Sequence, residues 1–419
     1  MTTVLLSRAA QSWRIEGPRG FSKRAIKYVL RLGRPAIGEP IGAYASRAAV
    51  EEDGPFGPLG QGLAAAPEDG PRGAFPRAEV DAADLGAPSA PPAGGLYGPV
   101  QADLPRVDGL LRSLLPADFE FLSDTVDHLL QAGGKRARPA LTLLAGRMGR
   151  YDLELLVPLA ASIELLHTAT LVHDDVIDAA PTRRGRATAN ALVGNAASVM
   201  VGDYMFAHAA ELVARTGNID VIRLFARTLM EMATGELKQD LSAYAYSQSL
   251  RDYFNRIYGK TASLFATSAQ GGAMVAGLPS DLALAMRAYG ENLGMAFQVV
   301  DDILDFTADE AELGKPAGSD LMQGTLTLPA LMLIERDPDD NPVKRYFDGQ
   351  RRADNLRRAL KQVRESDIVD RCYAVAYDFR DKALRALESE PLAALDSYAA
   401  AQARKTLSQL ARWVTERRS

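Results

Sequence analysis

A single cysteine, Cys372, stands in 419 residues, so the chain can form neither an internal disulfide framework nor a thiolate metal cluster. A reducing compartment suits such a chain. An excess of positive charge is also missing. The formal net charge is −5, which gives no case for a nucleic-acid partner. No uninterrupted run of about 18 apolar residues occurs, so no membrane-spanning helix is expected. No clean signal-peptide hydrophobic segment with a cleavage site is seen. β-branched alternation bounded by hairpin turns is absent, as are short-period repeats. Apolar residues, by contrast, make up 47% of the chain, enough for a sizeable core.

Charge and composition divide the chain. Residues 1–50 hold nine Lys or Arg against two acids, Glu16 and Glu39. An Arg-rich, acid-poor start resembles an organelle transit peptide, or else a dispensable extension. Residues 51–100 contain nine Pro and ten Gly, a composition that cannot bury enough apolar surface to offset chain entropy. Residues 1–98 are therefore expected to be a disordered or transit-like extension with a linker. From 99 to 419 Leu, Ala, Ile, Glu and Arg recur at helical spacing, as in Leu155, Leu159, Ile163 and Leu166. This region reads as one all-α domain.

Two acidic clusters carry the chemistry. Asp174-Asp175-Val176-Ile177-Asp178 and Asp301-Asp302-Ile303-Leu304-Asp305 both read DDxxD, each at the end of an apolar helical run. Residues i and i+4 share a helix face, so Asp174 lies beside Asp178 and Asp301 beside Asp305. Carboxylates crowded in this way need a cation. Hard oxygen ligands select Mg²⁺, which shares its shell with phosphate and water rather than taking an all-protein cage.

Basic groups accompany the clusters. In Gly133-Gly134-Lys135-Arg136-Ala137-Arg138-Pro139 the paired glycines allow close backbone approach, and Lys135 and Arg138 can address a phosphate. Arg183-Arg184-Gly185 follows Asp178 by five residues. Gly259-Lys260-Thr261 and Gly314-Lys315-Pro316 repeat a Gly-Lys theme. His167, two helical turns before Asp174, could donate to a phosphate, whereas His173 faces elsewhere and reads as structural.

Together, GGKRARP, HTATLVHDDVIDAAPTRRG, GKTASLF, GMAFQVVDDILDF and GKPAGSDLMQGTLTLP resemble the trans-isoprenyl (polyprenyl) diphosphate synthase family, from about residue 100 to the C-terminus. The resemblance implies a helical bundle around a deep central cavity, usually a homodimer. It implies a prenyltransferase that condenses isopentenyl diphosphate with an allylic diphosphate by ionisation, condensation and elimination. Carried over by position, Asp174, Asp178, Asp301 and Asp305 are metal ligands, and about three Mg²⁺ would neutralise the departing diphosphate. Asp174, Asp175, Asp178, Arg183, Lys260, Asp301 and Asp302 are catalytic. Lys135, Arg138, His167 and Arg184 correspond to the isopentenyl diphosphate site. Arg183, Lys260, Thr261, Gln298 and Lys315 face the allylic diphosphate. Ala179, Ala180 and Thr325 depart from residues common at those positions, and none of them is a metal ligand.

Product length should depend on what lies below the first cluster. Ala169 and Thr170, five and four residues before Asp174, are both small, where an aromatic at position 169 would block the tunnel in the family. A long product of about seven to ten isoprene units follows, at roughly one helical turn of depth per unit. The alternatives are a short-chain farnesyl or geranylgeranyl synthase, a terpene cyclase, and a non-catalytic partner subunit. The intact second cluster and basic motifs speak against the last two. The stretch TLPALMLIERDPDDNPV is similar to bacterial members, which implies a cytoplasmic protein with peripheral membrane contact through its greasy product. A eukaryotic source would imply plastid or mitochondrion.

Overall fold

Two long apolar helices organise the molecule, and each ends in one of the acidic clusters. The structure, a computed structural model, describes residues 95–417 apart from 115–118, 132–134, 184, 309–315 and 340. The expectations for residues 1–94, for Gly133 and Gly134, and for Arg184 and Lys315 lie outside the described residues. Residues 95–98, on the far side of the expected boundary at 99, belong to the described structure. Tyr97 is buried and its hydroxyl donates to the Lys135 carbonyl, and a 3₁₀ turn spans Gly98–Val100.

The helices are α1 (Leu104–Ser113), α2 (Glu120–Gln131), α3 (Ala137–Gly146), α4 (Leu153–Ile177), α5 (Ala189–Val193), α6 (Asn195–Ala214), α7 (Ile219–Leu241) and α8 (Leu250–Ile257). A π-helical turn, Tyr258–Ala262, leads into α9 (Ser263–Val275) and α10 (Ser280–Thr307). There follow α11 (Ser319–Met322), α12 (Leu328–Arg336), α13 (Pro342–Phe347), α14 (Arg352–Arg364), α15 (Ile368–Leu387), α16 (Glu390–Ala393) and α17 (Tyr398–Glu416). The fold is all-α, with one small addition to the expectation. Thr182–Arg183 (β1) and Arg186–Ala187 (β2) pair antiparallel around Gly185, whose φ of +73° suits glycine.

α4 starts at Asp152, whose side chain accepts the Glu154 N–H at 3.1 Å. It is apolar on nearly every side because α1, α3, α6 and α9 all pack on it. Leu159, Ile163 and Leu166 are fully buried, as expected. α4 is also long and apolar enough to cross a membrane, which counting uninterrupted apolar runs passes over because Glu164 and His167 break the run. Its most apolar stretch is 78% buried inside the protein, so it serves here as a core helix. Glu164 is buried there by design: Arg136 reaches it at 2.8 Å and Asp108 at 2.8 Å.

α10 lies between α9, α15 and the π turn. Glycine makes this approach possible. A Cβ at Gly290 would stand 2.5 Å from the Phe265 carbonyl oxygen, and one at Gly294 2.6 Å from the Ala262 Cα. α4 and α10 are thereby held by the shared neighbour α9, and their C-terminal ends carry the chemistry.

Candidate active site

Both acidic clusters sit at helix C-termini, the negative end of the helix dipole, where carboxylates are least favoured. At the end of α4, Asp174 lies 3.7 Å from Lys260 Nζ, and Glu236 of α7 takes the same amine at 2.7 Å. Burial pushes the Asp174 carboxyl up to about 6. Lys260 pulls it back, while Glu236 pushes it further up. One ammonium thus serves several carboxylates. The π turn delivers that ammonium: Gly235 and Gly259 let α7 and the turn approach, since a Cβ on Gly259 would stand 3.2 Å from the Glu231 carbonyl oxygen and one on Gly235 3.3 Å from the Lys260 backbone nitrogen.

Asp175 points elsewhere. It is 2% exposed and ion-paired with Arg183, 2.8 Å from Nε. α4 stops in a left-handed Ala179 (φ 50°), and this bend brings β1 back across the helix end. Asp175 and Arg183 were expected to act directly. In the structure they are bound to each other, an ion pair that also braces the end of α4.

The second cluster is more enclosed. Asp302 is 2% exposed, accepting from the Tyr253 hydroxyl at 2.7 Å and the Gln298 amide at 2.8 Å. Thr261 donates to the Gln298 carbonyl oxygen at 2.7 Å, so a chain of hydrogen bonds runs from the π turn to Asp302. Burial, and after it the nearby Asp320, raise the Asp302 carboxyl to about 8 against the opposing pull of Gln298, Tyr253 and Arg256. Asp305 is 1% exposed, and the Asp320 N–H donates to it at 3.2 Å.

Asp301 has a partner from the far end of the chain. Its carboxylate meets Arg417 Nη2 at 2.5 Å, and the Arg417 guanidinium also stacks on Phe297 with 4.0 Å to the ring centre. Neighbouring residues on a helix diverge by about 100°. Asp302 therefore faces the cavity while Asp301 faces the C-terminal helix. Asp301 and Asp305 stay one turn apart on α10, as expected, and each has a further partner, Arg417 for Asp301 and the Asp320 N–H for Asp305.

A cavity of about 110 Å³ joins the two clusters. Asp178 enters from the first and Asp302 from the second, with Lys260, Thr261 and Gln298 on the same wall. Asp320, Thr325 and Thr327 close it from the loop after α10. The cavity's lining is polar, with Ile257 the one apolar side chain. This is a compartment for a charged head group rather than for a hydrocarbon tail.

The remaining expected residues surround this centre. Lys135 is exposed, its ammonium 4.7 Å from the Trp413 ring centre, and Arg138 stacks on Phe265 at 4.6 Å. His167 is half-buried; Thr170 donates to its carbonyl at 2.8 Å. Ala169 is completely buried. His173 packs on α6 beside Gly202, its ring 3.1 Å from the Val199 carbonyl oxygen. Four participants were not anticipated: Glu236, Tyr253, Arg256 and Asp320. Tyr253 and Arg256 share the YFNRIYGK stretch with Lys260 but carry no spacing signal of their own, and Glu236 becomes visible only once α7 meets the π turn.

Among the described residues, no three acidic, histidine or cysteine side chains are gathered closely enough to enclose a cation. The donor set still fits one. Asp174 and Asp178 present oxygen ligands one turn apart in a partly desolvated, acid-rich setting. The rest of the shell would have to come from water or a bound anion.

The family model for polyprenyl synthetases matches residues 119–363. This chain belongs to that family. It is a prenyltransferase that acts on prenyl diphosphates. Component 2 of the heptaprenyl diphosphate synthase of Geobacillus stearothermophilus is 41% identical over 300 residues, covering 71% of this chain and 92% of that one. A polyprenyl synthase from Caulobacter crescentus, solved with calcium and isoprenyl diphosphate, superposes with a TM-score of 0.71 at 35% identity, covering 77% of this chain and 97% of that one. A decaprenyl diphosphate synthase from Rhodobacter capsulatus gives 0.70 at 35% identity, covering 77% and 98%. The matched region of the polyprenyl synthetase family includes both acidic clusters, the π turn and the polar cavity.

Proposed function

We propose that this chain is a long-chain trans-polyprenyl diphosphate synthase that extends an allylic diphosphate with isopentenyl diphosphate in the presence of Mg²⁺. The observation that carries the reading is the polar cavity shared by Asp178 and Asp302 with Lys260 beside it. Asp174 and Asp178 would hold the metal, with further oxygens supplied by the substrate's diphosphate. A bound divalent cation supplies neutralisation of the departing diphosphate charge. Lys260 and Thr261 orient that diphosphate from the π turn. The Asp175–Arg183 pair and the Tyr253–Asp302–Gln298–Thr261 chain keep the two acidic helix ends in register. Lys135, Arg138 and His167 are assigned to isopentenyl diphosphate.

The named products of the relatives, heptaprenyl and decaprenyl diphosphates, support a long chain, and so does the small Ala169. Purified protein, labelled isopentenyl diphosphate, Mg²⁺ and a farnesyl or geranylgeranyl primer should yield products of about seven to ten units, at roughly one helical turn each. Products no longer than geranylgeranyl would defeat the long-chain reading. Replacing Ala169 with Phe should shorten the product. If position 169 is only a packing site, length stays unchanged while overpacking lowers stability by about 1–3 kcal/mol.

A second reading concerns partners. Met200 of α6 and Met230, Leu237 and Leu241 of α7 are exposed apolar residues, which favours a second copy docking there. The relative named as a component 2 favours a different partner instead. Incorporation by the purified chain alone supports the homodimer, whereas incorporation that requires another polypeptide supports the two-component enzyme.

A further inference from the structure

Two cations line the cavity among the described residues, and their situations differ. Lys260 is already committed to Glu236 at 2.7 Å and Asp174 at 3.7 Å. Arg256, on the last turn of α8, is 7% exposed, yet each of its hydrogen-bond partners is neutral. Nη1 donates to Gln248 Oε1 at 2.9 Å and Nη2 donates to the Leu326 carbonyl, while the guanidinium lies 5.6 Å from the Tyr253 ring centre. Asp302, the least exposed carboxylate lining the same cavity, accepts from Tyr253 and Gln298 and lies within electrostatic reach of Arg256 without a hydrogen bond to it.

A guanidinium carries five N–H donors, and two are used here. Desolvating a cation costs free energy unless an anion or several dipoles compensate. The two neutral acceptors fix the plane of the group and leave its remaining donors for a ligand. A planar fork of this kind matches phosphate oxygens in pairs. We propose that Arg256 is a diphosphate-binding residue of this cavity, and that it ties the bound anion to the loop wall through Leu326. Leu326 lies between Thr325 and Thr327, both of which line the cavity. Neither acidic cluster nor any Gly-Lys pair contains this residue. The assignment rests on the prenyl diphosphate reading of the cavity.

The test compares the native chain with R256Q and R256K, using inorganic pyrophosphate as the probe in buffer containing MgCl₂. Calorimetric affinity, steady-state kinetics and thermal melting are measured on the same samples. R256Q should weaken pyrophosphate binding on the order of tenfold or more, and R256K should recover part of the loss. KM for the allylic diphosphate should rise, while KM for isopentenyl diphosphate stays near the native value. A folded R256Q that binds pyrophosphate as the native chain does overturns the assignment. So does unfolding of both variants, which would make Arg256 a strut for the loop. A native chain that binds no pyrophosphate overturns the reading of the cavity itself, and the assignment with it.

Discussion

The two DDxxD clusters have the same spelling and different surroundings. At the end of α4, Asp174 and Asp178 share the charge of one lysine that Glu236 also holds, and Asp175 is withdrawn into a close ion pair with Arg183. At the end of α10, Asp302 is held by Tyr253 and Gln298, Asp305 by the turn at Asp320, and Asp301 by Arg417. The first cluster is poised to receive a cation. The second is built into the protein's hydrogen bonding. A motif therefore reports which groups are present, and its neighbours decide how much each contributes to binding and how much to stability.

Substitutions can break this contrast. The largest effect is expected at the first cluster. Asp174→Asn should lower kcat by about 10²–10³-fold, the scale of losing one electrostatic contact in a transition state, and leave the melting temperature nearly unchanged. A marked loss of stability would erase the distinction between the clusters. Asp302→Asn should lower both quantities. Its amide cannot accept from Tyr253 and Gln298 as the carboxylate does, so stability should fall by about 1–3 kcal/mol in denaturant titrations. Tyr253→Phe removes a single donor and should cost about 1–2 kcal/mol, with Asp302 left short of one hydrogen bond. If Tyr253→Phe melts like the native protein, the second cluster is less integrated than its geometry indicates. The smallest effect belongs to the Arg417–Asp301 ion pair, removed by Arg417→Ala. Asp301 is 40% exposed, so the pair itself should contribute about 0–1 kcal/mol, and the loss of the 8%-exposed guanidinium from the Phe297 ring and carbonyl comes in addition. Freed of Arg417, Asp301 should raise affinity for a divalent cation, measurable by titration calorimetry without turnover.

Much of the fold was legible because helical periodicity is local. α4 and α10 announce themselves through apolar residues spaced for one helix and ended by charge. The π turn around Lys260 was legible only as a Gly-Lys pair, since the glycine contact with Gly235 joins positions far apart in the chain. Arg136 sits inside the glycine-rich basic motif, yet its left-handed backbone sends it to Asp108 and Glu164. Its neighbours Lys135 and Arg138 are equally basic in the sequence. Tyr253 reads as one more core aromatic until its hydroxyl is seen against Asp302.

The amino-acid order alone determined the helical class, the two acidic helix ends and the family, because these depend on residue type and short spacing. Tertiary structure alone decided which aspartates face the cavity and which are claimed by Arg183, Tyr253 or Arg417. The reason is physical: a carboxylate's charge is a local property, but its solvation and its partners come from segments up to 116 positions away.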